Sequence, residues 1–128
     1  RIVFNGPGKS IESLHLAVER GVRIINIDNI HEADTLQAAA RKAGRTQDVG
    51  VRVVTSVGWA AQFGIPLAGG AARAAFDRLR ACDHLRPRGL HIHLGTGIKD
   101  VSVYVQAVRE LFAFARQLQE ATGVVIDF

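Results

Sequence analysis

Short runs rich in valine and isoleucine recur along the chain, separated by stretches whose apolar residues fall at helical spacing. The runs are IVF at 2–4, VRIINI at 22–27, VGVRVV at 49–54, LHIHL at 90–94 and VVIDF at 124–128. Each has the length of a strand. Between them, Ile11, Leu14, Ala17 and Val18 repeat with the period of an amphipathic helix, as do Val101, Val105, Val108, Leu111, Phe112, Ala115 and Leu118. Ser10 stands where a helix N-cap is expected, and Gly21 where the first helix should stop. The resulting β-α-β-α order implies parallel strands joined by right-handed crossovers.

Two architectures use that order, an open doubly wound sheet and a closed (β/α)8 barrel. A barrel takes about 250 residues, so 128 residues would supply about five of its eight strands. The chain starts inside one strand and stops at the end of another, which favours a segment of a barrel. Such a segment would expose two unpaired strand edges, so the isolated chain is expected to aggregate, to oligomerise or to belong to a longer protein.

Side chains alternate along a strand. In LHIHL, His91 and His93 would share one face while Leu90, Ile92 and Leu94 share the other. In VGVRVV, Arg52 interrupts an apolar run. A buried charge is costly without a partner, so an inward Arg52 calls for a bound anion, a polar ligand or an acid such as Asp28. In α/β sheets of either kind the ligand lies beyond the C-terminal strand ends. The residues there are Asn5, Gly6, Asp28, Asn29, Thr55, Ser56, Gly95, Thr96 and Asp127. The connection TSVGWAAQFGIPLAGG at 55–70 is long for its place and reads as a binding loop, with Trp59 and Phe63 as lid anchors or loop packing.

Other features narrow the classes of function. GPGKS at 6–10 ends like a nucleotide P-loop, but the glycine required at position 3 is Val3. The net charge of +4 is scattered except at Arg78, Arg80, Arg86 and Arg88, and aromatics are only 6% of residues. That argues against nucleic acid and for a small anionic ligand. The paired histidines at 91 and 93 could ligate a metal with Asp28 or Asp127 as a third ligand, although no spacing singles one out. Thr96 could cap the helix that comes after it. Arg109, Glu110, Arg116 and Glu120 read as the solvated face of the last helix. A single cysteine, Cys82, excludes an internal disulfide, and no apolar run could span a bilayer. A cytoplasmic protein without membrane partners is expected.

The phrase GLHIHLGTGIKD at 89–100 resembles the GxHxHxGSxxxD-like segment of the fold-type III pyridoxal-phosphate decarboxylases, the group of diaminopimelate, ornithine, lysine and arginine decarboxylases. GKSIESLHLAVERGVRIINIDNIHEADTL looks like their GKSxxEL-A-GV-INVDSxxEL pattern. VGVRVV with QFGI looks like their LRVN and KFG pairing, and VVIDF looks like the strand before their glycine-rich phosphate loop. These resemblances run end to end in the family's order. They imply the central part of a (β/α)8 TIM-type barrel of the alanine racemase kind over 1–128, with the first barrel strands and a C-terminal β-domain outside it.

By the same resemblance, the cofactor is pyridoxal 5'-phosphate. His93 matches the histidine that stacks on its pyridine ring, Thr96 stands where a serine hydroxyl hydrogen-bonds it, and Arg52 matches an arginine near it. The family's Schiff-base lysine lies in a YAxKAN motif, and none of Lys9, Lys42 and Lys99 has that context. No catalytic residue and no metal ligand is therefore assigned. The substrate implied is a small cationic or bifunctional amino acid. A homodimer is implied at full length, although Gln62 replaces the KFG lysine of the dimer contact and Asn29 replaces a serine. Two rival readings remain: a non-catalytic relative serving in binding or regulation, and an open α/β phosphate-ligand binder that uses GPGKS at a helix N-terminus.

Overall fold

In the computed structural model, which describes residues 2–58 and 62–128, strands and helices alternate in the expected order. β1 (Val3–Phe4) leads to α1 (Ile11–Glu19), β2 (Ile24–Ile27), α2 (His31–Lys42) and β3 (Gln47–Val54). A two-residue β4 (Ile65–Pro66) and a 3-10 turn at Ala68–Gly70 precede α3 (Ala71–Arg80), β5 (Leu85–His91) and α4 (Val101–Thr122). All pairings are parallel: β1 on β2, β2 on β3, β3 on β5, with β4 beside the last residues of β3.

The chain thus adds its long strands in sequence order without a reversal. A doubly wound sheet reverses at a switch point. Right-handed crossovers that never reverse put every helix on one face, so this is part of a barrel wall and not an open sheet. The core agrees: Ile25, Ile27, Val49, Val51 and Val53 join Leu14, Val18, Leu36, Phe76 and Leu79 of the helices in one buried cluster. Each such side chain contributes about 1.5–3 kcal/mol by leaving water.

Local chemistry sets the helix ends. Ser10 Oγ accepts from Ser13 N (3.1 Å), as a cap should. Gly21 follows α1 at φ +68°; its N–H donates to Val18 O (3.0 Å), to which the Arg45 guanidinium also donates (2.8 Å). Asn29 Oδ1 accepts from His31 N (3.0 Å) and Glu32 N (3.3 Å), tying down the start of α2. Asp100, and not Thr96, caps α4, accepting from Ser102 N (2.8 Å).

Two strands differ from their sequence expectation. Of the run at 90–94 only Leu90 and His91 belong to β5, which begins at Leu85 and ends at His91. Pro87 and Gly89 disguise it. A bulge against Val49 and Gly50 absorbs the irregularity, which is where a sheet accepts proline. Residues 124–128 form no regular strand, yet Asp127 N donates to Arg88 O (3.1 Å) and Leu90 N to Phe128 O (3.0 Å), so this segment lies along β5.

The other face of the sheet carries no helix and is polar. Cross-strand partners share a face, which groups Asn26, Gly50 and Gly89 in one row and Arg52 with His91 in the next. Asn26 is buried, and its Nδ2 donates to Asn5 Oδ1 (2.5 Å). A Cβ on Gly50 would lie 1.8 Å from Asn26 Oδ1, so the glycine makes the notch that Asn26 fills. Gly50→Ala must displace Asn26 from Asn5 and is expected to destabilise by about 1–3 kcal/mol, read as a lower midpoint in urea unfolding; an unchanged midpoint would show that the notch is not tight.

Candidate functional site

Polar side chains gather where β2, β3 and β5 end. Arg52 emerges from β3 onto the helix-free face with its side chain 12% exposed, and its guanidinium NH1 donates to Asp28 Oδ1 at 2.8 Å. Asp28 directly follows β2 and is itself buried. The ion pair offsets the desolvation that an unpaired inward arginine would suffer. The guanidinium also sits 5.4 Å from the centroid of the Phe63 ring, a cation–π distance. Of the partners open to Arg52 in the sequence, the acidic neighbour is therefore present.

His91, the last residue of β5, is the register partner of Arg52. Its Nδ1 is buried without a hydrogen-bond partner among the described residues, as is Asn26 Oδ1. Burial, then the positive Arg52, hold the His91 pKa below the ordinary histidine value. His93 lies two residues past the strand and is exposed, so the two imidazoles do not share a strand face as the alternation implied.

Arg52 and His93 nonetheless both line one small recess of about 10 Å³, which Thr55, Val57, Phe63 and Leu94 also line. Close packing holds its walls together: a Cβ on Gly58, which has φ +88°, would come within 2.8 Å of Leu94 O. Thr96 lies farther along the same connection, exposed, and does not line the recess. Trp59 falls outside the described residues. β4 and the 3-10 turn occupy part of the long connection after β3. Ser56 N donates to Glu110 Oε2 (2.8 Å), and Ser56 Oγ to Glu110 Oε1, fastening the start of that connection to α4. Glu110 is thus not part of a purely solvated face.

Besides Ser56 with Glu110, sequence reading missed a second pair. Lys9 of GPGKS is buried, donating through Nζ to Gly6 O (2.7 Å) and Glu32 Oε2 (2.8 Å). Lys42 and Lys99 are exposed. Among the described residues, no three of His, Cys, Asp and Glu converge to hold a metal ion. The groups gathered at the ends of β3 and β5 are the Arg52 guanidinium and the imidazoles of His91 and His93, which offer positive charge and flat ring faces.

The family described as pyridoxal-dependent decarboxylase, pyridoxal binding domain, matches residues 1–128. The chain belongs to this family. It is 37% identical to diaminopimelate decarboxylase of Mycobacterium tuberculosis over 129 aligned residues, covering 92% of this chain and 29% of that protein. Diaminopimelate decarboxylase of M. jannaschii, solved in complex with L-lysine, superposes with a TM-score of 0.90 at 26% identity, covering 98% of this chain and 31% of that one. Alanine racemase of Clostridium difficile shares the fold at a TM-score of 0.78 and 13% identity, covering 99% of this chain and 32% of that one. The chain therefore spans about 30% of the length of the relatives it matches. No helix among the described residues is long and apolar enough to cross a membrane.

Because the His91 pKa is depressed in the fold, the unfolded ring binds its proton first as pH falls. The stability tied to the neutral ring is fully present above about pH 6.5 and lost progressively below it. An imidazole NMR titration should place the His91 midpoint below 6.5; a midpoint at or above that value would contradict the burial of the ring.

Proposed function

We propose that these residues form the central part of the barrel domain of a pyridoxal-phosphate-dependent decarboxylase that acts on a cationic or bifunctional amino acid. The observation that carries this reading is that Arg52 and His93 both line one small recess at the C-terminal strand ends, in a chain of the pyridoxal-binding family. The span of about 30% of the relatives' length supports the view that the first barrel strands and a further domain lie in other parts of the same protein. L-Lysine in the complex of the M. jannaschii protein supports the substrate class.

Each residue then has a task. His93 offers a flat ring face that positions the pyridine plane and keeps water from it. Arg52, held by Asp28, presents a fixed positive donor to the cofactor's oxygen atoms. Thr96, farther along the connection that bears His93, supplies a hydroxyl once the rest of the site folds around it. Pyridoxal phosphate, when bound, supplies the electron sink that accepts the electron pair left behind as carbon dioxide departs. The three lysines of this segment take no covalent part: Lys9 is committed to Glu32, and Lys42 and Lys99 lie at the end of α2 and on the connection after β5. The segment by itself is inactive in this reading. The complete protein is in this reading cytoplasmic, and a homodimer as the resemblance implies, with neither nucleic acid nor membrane as a partner.

In the longer protein, pyridoxal phosphate should bind with a visible absorbance, and His93→Ala should weaken it about 2- to 10-fold, the loss of one aromatic stacking contact. A longer protein that takes up no pyridoxal phosphate would overturn the reading while leaving the fold intact.

A further inference from the structure

Four charged side chains, two carboxylates between two cations, run from the GPGKS turn to β3. Lys9 Nζ donates to Glu32 Oε2 (2.8 Å), and the two side chains are 2% and 8% exposed. The same Glu32 oxygen accepts the backbone N–H of Asp28 (3.0 Å). Asp28 in turn accepts from Arg52 (2.8 Å). Lys9 is further fixed by Gly6 O and lies 5.9 Å from the centroid of the Phe4 ring.

Two considerations separate this arrangement from an ordinary stabilising pair. A buried ion pair contributes little net stability, because desolvating both ions offsets their attraction and an apolar pair of similar volume often does as well. Stability alone therefore gives Lys9 and Glu32 little reason to be charged. The second consideration is geometric. Asp28 sits one residue beyond the last ladder pairing of β2, Ile27 with Val51, so the sheet no longer fixes its backbone. The Glu32 carboxylate does, at the residue whose own carboxylate aims Arg52.

We infer that Glu32 is a positioning residue for Arg52: with Lys9 neutralising its charge, its side-chain oxygen locks the β2–α2 junction so that Asp28 holds the guanidinium at the recess shared with His93. GPGKS then serves the site without touching a phosphate. This inference rests on the proposed cofactor-side role of Arg52.

The test compares two double variants of the longer protein, neither of which leaves a buried charge unpaired. Lys9→Met/Glu32→Gln keeps an oxygen for Asp28 N, while Lys9→Met/Glu32→Met removes it; Gly6 O loses its donor in both. With melting temperatures used to confirm folding, Kd for pyridoxal phosphate is titrated by absorbance, and the Arg52–Asp28 separation is read from crystal structures. The Gln pair should bind within about 3-fold of wild type with the 2.8 Å contact kept. The Met pair should bind at least about 10-fold more weakly with that contact broken. Equal affinities for the two pairs, or an intact Arg52–Asp28 contact in the Met pair, would overturn the inference. If the Met pair does not fold, Glu32→Asp takes its place, since the shorter carboxylate cannot meet both Lys9 and Asp28 N, and the same outcomes decide. If wild type itself binds no pyridoxal phosphate, the proposed function fails, and the crystallographic contact alone still decides the positioning role.

Discussion

Every crossover in this chain carries the next long strand to the same side, and that constraint governs both faces of the sheet. Helices are confined to one of them. The face they cover is uniformly aliphatic, with Ile25, Ile27, Val49, Val51 and Val53 packed on Leu14, Leu36 and Phe76. The opposite face must meet something other than a helix, and the sequence fills it with Asn26, Gly50, Arg52, Gly89 and His91. A sheet of this kind cannot be satisfied by apolar packing on both sides, so its polar face is organised by hydrogen bonds and ion pairs whose geometry is directional.

That division explains why the polar groups are arranged in rows. Lowest in the functional half is the notch at Gly50, filled by Asn26, which Asn5 holds, with Gly89 packed closely beside it. Above it, Arg52 and His91 face each other from adjacent strands, with Asp28 closing the charge. Beyond the strand ends lies His93, and the connection that bears it is braced by Leu94 against Gly58. Each row is more exposed than the one beneath it, so the surface on which a ligand would rest is built on a progressively more rigid base.

Much of this was legible in the sequence, for reasons that can be named. β2 and β3 announce themselves by runs rich in branched residues, and Arg52 stands out because one charge in such a run must have a partner. Ser10 and Gly21 mark the ends of α1 by their chemistry alone. β5 was half hidden because Pro87 and Gly89 read as breakers, whereas the bulge opposite Gly50 accommodates both. His93 was placed on a strand face that ends two residues earlier. Asp100 took the cap expected of Thr96, since the connection runs four residues farther before the helix begins. Lys9 with Glu32, and Ser56 with Glu110, were illegible: they are separated by 23 and 54 positions, and only the folded sheet brings them together.

The central claim is that the helix-free face, at the ends of β3 and β5, is where this chain meets pyridoxal phosphate. The most direct measurement is a crystal structure of the longer protein with that cofactor bound. The account predicts His93 in contact with the cofactor's ring and Arg52 within hydrogen-bonding distance of one of its oxygen atoms, with Asp28 still paired to Arg52. A cofactor seated on the helix-covered face, or one that touches neither His93 nor Arg52, would contradict it.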